Sequence, residues 1–185
     1  MLEEIVIAGF GGQGVMVAGQ LLAHAGMEEG KQVAWIPSYG PEMRGGTANC
    51  TVIISDDAVG SPIVTNPGIA IVMNRPSLDK YEPLVKPGGI LIVNSSIVGR
   101  EATRSDVRVV AVPANDEAAE LGNVRLANSI MLGALIGCTD IVKVESLVDS
   151  MKDVFKARQH HLIDLNRQAL ERGMALVRAP ARSEK

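Results

Sequence analysis

Residues 8–15 read Ala-Gly-Phe-Gly-Gly-Gln-Gly-Val, directly behind the apolar run Ile5-Val6-Ile7. Gly9, Gly11 and Gly14 match the spacing G-x-G-x-x-G, and Gly12 adds a further glycine. The chemistry of such a turn is anion binding. Glycines let the backbone approach a phosphate closely, and the helix that follows offers its first N–H groups and the positive end of its dipole. A dinucleotide site also needs an acidic residue about 20 positions on, at the end of the second strand, to hold the ribose hydroxyls. Here that strand ends in Trp35-Ile36-Pro37-Ser38-Tyr39, without an acid. Gly14 to Gly19 has the spacing of a Walker loop but runs into Gln20 instead of Lys and Ser or Thr. Three readings stay open: a tight structural turn, a site for another anion, and an NAD site that lacks the usual acid.

A second stretch, Ser38 to Cys50, sets Tyr39, Glu42, Met43 and Arg44 among glycines and the rigid Pro41. Aromatic, Met and Arg side chains on a shaped loop are what protein interfaces favour, so these four are candidate contact residues. A local Glu42 to Arg44 ion pair that braces the loop is the competing account. Asn74 and Arg75 follow the strand pattern Ile69 to Met73, at the end of a strand where open α/β sheets place ligands; Arg suits phosphate. Loop bracing is again the alternative. His24, on the helix behind the glycines, could approach an anion or simply sit on a polar face. His160 and His161 are adjacent, so on a helix they point about 100° apart and cannot chelate one metal. Neither a metal site nor a catalytic residue is expected.

Bulk composition narrows the partners. The chain is 46% hydrophobic and 21% charged with a net charge of −3, and only 3% of its residues are aromatic. It has no basic surface for a phosphate backbone and no stacking platform for bases, which argues against nucleic acid. Cys50 and Cys138 are distant, with neither CxxC spacing nor a nearby His, and read as two buried thiols in a reducing cytoplasm. The start, Met1-Leu2-Glu3-Glu4, is acidic and runs into a strand, unlike a signal peptide. No apolar stretch reaches the roughly 18 residues of a membrane span.

The elements that must position these residues follow from periodicity. Ile5 to Ala8 reads as a buried parallel strand. Ala18, Leu21, Leu22 and Ala25 fall at helical spacing, with Gly26 as the stop. Val33 to Ile36 and Asn49 to Ser55 are strands whose short, Pro- and Gly-containing connection favours an antiparallel relation, so the sheet is mixed. Ile69 to Met73, Ile90 to Val93 and Val107 to Val112 continue it as an α/β winding, with a crossover helix from Pro76 to Val85. Helices are expected at Glu117 to Leu121, Val124 to Ile136, Val144 to Phe155 and His160 to Val177. The second of these is apolar nearly all round, and so is either buried or in an interface. Residues 1–178 read as one domain, with a flexible tail at 179–185.

Three stretches, GFGGQGVMVAGQLLAHAG, PSYGPEMRGGTAN and MNRPSLDKYEPLVKPGG, resemble the gamma subunit of 2-oxoacid:ferredoxin oxidoreductases, most of all the 2-oxoglutarate type. The resemblance implies a three-layer α/β/α fold with a mixed, mostly parallel sheet and a helical C-terminal part. It also implies a complex that decarboxylates a 2-oxoacid on thiamine diphosphate, passes electrons through iron–sulfur clusters to ferredoxin and forms an acyl-coenzyme A. This chain holds none of those cofactors alone: it has no thiamine signature and no cluster-binding cysteine set. Its implied partners are alpha and beta thiamine-binding subunits and a ferredoxin-like subunit. Gly9, Gly11, Gly12, Gly14, Asn74 and Arg75 would face coenzyme A, with a partner's backbone as the alternative for the glycine loop, and Tyr39, Glu42, Met43 and Arg44 would face a partner. Without partners the chain is expected to form a homodimer through the Val124 to Ile136 helix and the Tyr39 to Met43 loop. The competing readings are a free-standing nucleotide-binding regulator and the related subunit of indolepyruvate:ferredoxin oxidoreductase.

Overall fold

The computed structural model describes residues 1–39 and 46–178. Strand β1 (Leu2–Phe10) is followed by α1 (Val15–Glu28), β2 (Gln32–Tyr39), β3 (Thr47–Ser55) and β4 (Ile69–Val72). Then come α2 (Arg75–Tyr81), β5 (Ile90–Asn94), α3 (Ser95–Val98), β6 (Arg108–Val112) and α4 (Ala114–Glu120). The chain ends in α5 (Ala127–Thr139), α6 (Val144–Val154) and α7 (Ile163–Arg178). The six strands are ordered β2-β3-β1-β4-β5-β6. The β1/β4, β4/β5 and β5/β6 pairs are parallel, while β3 runs antiparallel to both β1 and β2. The connection between β2 and β3 is too short for a parallel crossover, and the antiparallel register Gln32↔Ser55 to Tyr39↔Ala48 is its consequence.

Alternation along β1 divides the interior between two faces. Ile5 and Ile7 join the larger core, with α1, α5, α6 and α7, while Val6 and Ala8 join the smaller one, with Leu78 and Tyr81 of α2 and Val98 of α3. The layers are therefore α/β/α and unequal. Because both faces of β1 are covered, its centre reads as one continuous apolar run, as a buried strand must.

Several boundaries differ from the sequence pattern. Gly26 does not stop α1: it is buried inside the helix, where an added Cβ would lie 3.0 Å from Val33 Cγ2. The stop is Gly30, at φ 75, with the Lys31 N–H returning to the Gly26 carbonyl at 3.0 Å. The expected Val124 to Ile136 helix is a short 3-10 turn, Val124–Leu126, capped by the Asn123 side chain, and then α5. The expected His160 to Val177 helix likewise begins as a 3-10 turn, Ala157–Leu162, on which His160 and His161 are exposed. Cys138 is only half-buried; Cys50 is fully buried, and burial pushes its thiol up to about 12. Among the described residues no helix is long and apolar enough to cross a membrane.

The apolar helix α5 is an interior element: of the two readings of its pattern, buried or in an interface, the structure takes the first, and it is not the homodimer surface also expected of it. Residues Ala127 to Ile136 are all buried. On one side α7 lies against it so closely that a Cβ on Gly133 would sit 2.0 Å from the Leu170 carbonyl, and one on Gly173 would sit 2.0 Å from the Ile130 carbonyl. The hydroxyl of Ser129 donates to Asn166 Oδ1 at 2.7 Å across the same contact, satisfying two buried polar groups. Small residues thus exchange side-chain bulk for backbone proximity, and α5 has no apolar face left to give a partner.

The thinner layer has a buried carboxylate as its fastener. Glu82 follows α2 and accepts from the Thr103 N–H and hydroxyl, from the Arg104 N–H at 3.1 Å and from the Arg100 guanidinium at 2.8 Å. Burial alone would push its carboxyl up, but these hydrogen bonds, led by the Thr103 N–H, outweigh it and hold the group below the ordinary Glu range.

Two outcomes follow from these contacts. Gly173→Ala forces two helix backbones apart and is expected to cost about 3 kcal/mol or more, at or above the usual range for overpacking, measured by urea denaturation. For Glu82 the folded form has the lower pKa, so its contribution is present at neutral pH and lost as the pH falls through the folded pKa. Glu82→Gln is therefore expected to be less stable than the parent by about 1–3 kcal/mol at pH 7, with the gap closing on acidification. A gap of the same size at low and neutral pH would assign the loss to packing instead of charge.

Candidate functional site

The helices that follow β1 and β4 leave on opposite faces of the sheet, although the two strands are parallel neighbours. That divergence opens a crevice outside their carboxyl ends, the place where open α/β sheets accept ligands. The glycine turn lies at the end of β1, and Asn74 and Arg75 lie at the end of β4. A groove of about 340 Å³ runs along the turn, walled by Phe10, Gly12, Gly14, Met16, Val17 and Tyr39 among others.

The turn has a definite hydrogen-bond economy. The Gly11 N–H donates to the Gly46 carbonyl at 3.0 Å, and the Gln13 N–H to the Phe10 carbonyl at 3.1 Å. Neither amide is left to converge on an anion, which corrects the simple picture of a loop whose amides all point at one phosphate. Gly14 is the N-terminal cap residue of α1, at φ 77, with no side-chain cap and no acid in the first turn behind it. The N–H groups of Val15, Met16 and Val17 therefore begin the helix without intrahelical acceptors, at the positive end of its dipole. Val15, Met16 and Val17 also line the groove.

Each glycine has its own reason. A Cβ on Gly9 would lie 2.8 Å from Met73 Cβ, so the residue is set by the approach of β1 to the end of β4. Gly12, at φ 100, has open space around it and needs only the backbone conformation. Gly14 needs both: a positive φ, and room for Asn128 of α5, whose Nδ2 would be 2.5 Å from an added Cβ. That amide donates to the Gly14 carbonyl at 3.3 Å and ties the start of α1 to the start of α5.

The other expected residues fare differently. Asn74 is 2% exposed and caps α2, its Oδ1 accepting the Ser77 N–H at 2.9 Å. Its side chain is thus engaged within the fold. Arg75, the first residue of α2, has its side chain 63% exposed, with a loose 3.8 Å contact to Asp79 on the same helix, and it is not among the residues that line the groove. Tyr39 is 58% exposed at the end of β2 and forms a groove wall. Glu42, Met43 and Arg44 lie outside the described residues. His24 sits half-buried well along α1, roughly two and a half turns from the glycines, and does not approach the anion-facing end. The residue missed by motif reading is Gln13, whose side chain touches both halves of the crevice. The one signal available was its chemistry: it is the sole side chain in a run of glycines able to donate and accept at one end.

A family model described as pyruvate ferredoxin/flavodoxin oxidoreductase matches residues 4–176. The chain belongs to this family. It is 36% identical over 156 residues to the 2-oxoglutarate synthase subunit KorC of Methanocaldococcus jannaschii, covering 83% of each chain. It is 40% identical over 177 residues to the ketoisovalerate oxidoreductase subunit VorA of Methanothermobacter thermautotrophicus, covering 95% of this chain and 36% of that one. The chain thus spans about a third of the length of some of the relatives it matches. Among solved structures, the gamma subunit of keto/oxoacid ferredoxin oxidoreductase from Geobacter sulfurreducens superposes with a TM-score of 0.80 at 29% identity, covering 95% of this chain and 98% of that one. The 2-oxoglutarate:ferredoxin oxidoreductase of Magnetococcus marinus, solved with 2-oxoglutarate, coenzyme A and succinyl-CoA, shares the fold, with a TM-score of 0.88 at 23% identity over 99% of this chain and 32% of that one. In this chain the glycine turn and the β4–α2 corner meet through Gln13 and the close approach of Gly9 to Met73.

The two positive-φ glycines of the turn give a paired test. Gly12→Ala is expected to cost about 1–2 kcal/mol from backbone conformation alone, whereas Gly14→Ala adds the collision with Asn128 and should cost clearly more in chemical denaturation.

Proposed function

We propose that this chain, as one domain over residues 1–178, is the gamma subunit of a 2-oxoacid:ferredoxin oxidoreductase and supplies the coenzyme A side of its site. The observation that carries the reading is the start of α1: an uncapped N-terminus on a helix of 14 residues, free of acids in its first turn and opening on a groove, with the exposed Arg75 past the end of the neighbouring strand β4. Such an end attracts a phosphate, and with no acid at the end of β2 there is nothing to select a dinucleotide ribose. Coenzyme A carries phosphates of that kind, and it is bound in the Magnetococcus relative's structure.

The division of labour follows from what the side chains can do. A four-thiolate cluster is beyond two distant cysteines, one of them buried with its thiol pushed up to about 12. Iron–sulfur clusters and thiamine diphosphate are therefore assigned to partner subunits, where decarboxylation and electron transfer would occur. 2-Oxoglutarate is the favoured acid, because the KorC relative, covered over 83% of its length, is a 2-oxoglutarate synthase subunit. The complex is placed in the cytoplasm, where free thiols persist. Tyr39, a wall of the groove, is assigned to a partner contact, and Glu42, Met43 and Arg44 are assigned to the same contact on their sequence alone. Self-association of the isolated chain, as a homodimer, would use Tyr39 and the half-exposed Ile36 and Phe10, since α5 is covered.

Reconstitution with the partner subunits tests the assignment. The chain alone is expected to oxidise no 2-oxoacid, with or without thiamine diphosphate. In the complex, Arg75→Ala is expected to raise KM for coenzyme A by about three- to ten-fold, the scale of one exposed charge-assisted contact. If coenzyme A dependence is untouched and only assembly weakens, the crevice is a subunit interface and not a ligand site.

A further inference from the structure

Gln13 sits in the glycine turn with its amide shared between three partners. Oε1 accepts the Phe10 N–H at 2.6 Å and the Asn74 Nδ2 at 3.4 Å, while Nε2 donates to the Met73 carbonyl at 3.1 Å. The Gln13 N–H also returns to the Phe10 carbonyl, so residues 10 and 13 close the turn reciprocally. One partner belongs to the turn and two belong to the end of β4. The slot is tight: an added Cβ on Gly9 would stand 2.6 Å from Gln13 Oε1. Glutamine is suited to it, since an ionised Glu cannot donate to the Met73 carbonyl and Asn is one methylene shorter.

The geometry points to Gln13 as a positioning residue that fixes the glycine turn to the β4–α2 corner, so that the first amides of α1 and Arg75 meet one phosphate-bearing ligand as a unit. This rests on the coenzyme A reading of the groove. Two surface elements that each carry part of an anion site bind weakly if they move independently, because their ordering is then charged to the binding step. A clamp made inside the protein removes that cost beforehand. It acts on ground-state affinity for the anionic ligand, not on the chemical step at saturation.

The test uses the assembled complex and the split between kinetic constants. Gln13→Met keeps the length of the side chain and removes all three hydrogen bonds; Gln13→Glu keeps the acceptor and removes the donor. Gln13→Met is expected to raise KM for coenzyme A about ten-fold, with kcat and KM for the 2-oxoacid within about two-fold of the parent, and Gln13→Glu to give a smaller rise. Asn74→Asp keeps an oxygen to cap Ser77 but loses the donor to Gln13, and should move the same constant in the same direction. It carries the test should the Gln13→Met chain not fold. If Arg75→Ala raises KM for coenzyme A while Gln13→Met, or Asn74→Asp in its place, leaves it unchanged, the clamp is overturned and the ligand reading stands. If Arg75→Ala and these variants all leave it unchanged, the ligand reading fails and the clamp's purpose fails with it. An equal loss in kcat or in 2-oxoacid affinity would make Gln13 a general folding residue and overturn the proposal.

Discussion

The parallel pairing of β1 with β4 is the constraint on which the rest of the molecule depends. Four paired positions, Ile5↔Ile69 to Ala8↔Val72, put two strand ends side by side, and the chain must leave both ends through helices. After β1 the chain crosses through α1 to β2 in one direction along the sheet, and after β4 it crosses through α2 to β5 in the other; right-handed crossovers in opposite directions put α1 on one face and α2 on the other. The crevice is what remains between them. Its floor is set by the close approach of Gly9 to Met73, and its two walls begin with Gly14 and Asn74, the cap residues of the diverging helices. The site is thus a product of topology before it is a product of any side chain.

The two helix starts are finished in opposite ways. Asn74 caps α2 with its own side chain, which satisfies a first-turn amide and fills the end of that helix. Gly14 has no side chain to offer, and the adjacent groove remains open over the first turn of α1. What holds Gly14 in place comes from behind, through the Asn128 amide on its carbonyl. Because the N-terminal cap position is filled by backbone, the support of the turn is borrowed from α5, and α5 in turn is fixed by its glycine contacts with α7. A stability requirement far from the crevice therefore bears on the geometry of its mouth.

How much of this was legible in the sequence depends on whether the signal was local. The buried strands showed as apolar runs, and the antiparallel β2–β3 pair followed from a connection too short to cross the sheet. The Gly-rich turn and the β4 end were both found, since strand-then-turn spacing is a local pattern. Asn74 was read as a ligand residue when its first engagement is with Ser77 three positions on, a cap signature masked by the Pro that follows Arg75. The fate of α5 was not legible, because an all-apolar helix reads the same whether its cover is another subunit or its own α7. Gly133 and Gly173 were the available hint, but their meaning lies in a contact between residues forty apart in the chain. Gln13 was hidden by the glycines around it: a motif counted by glycine spacing gives no weight to the residue between them.

Ion pairs hold the first and last described residues. Met1 lies by Asp56 at the amino edge of the sheet, and Arg178 reaches Asp140, at the end of α5 farthest from Gly14. Both therefore lie away from the carboxyl edge, where the groove opens. The sequence match covers 83% of the KorC relative and 36% of the VorA relative. A site built from strand ends and backbone amides makes few demands on covalent context.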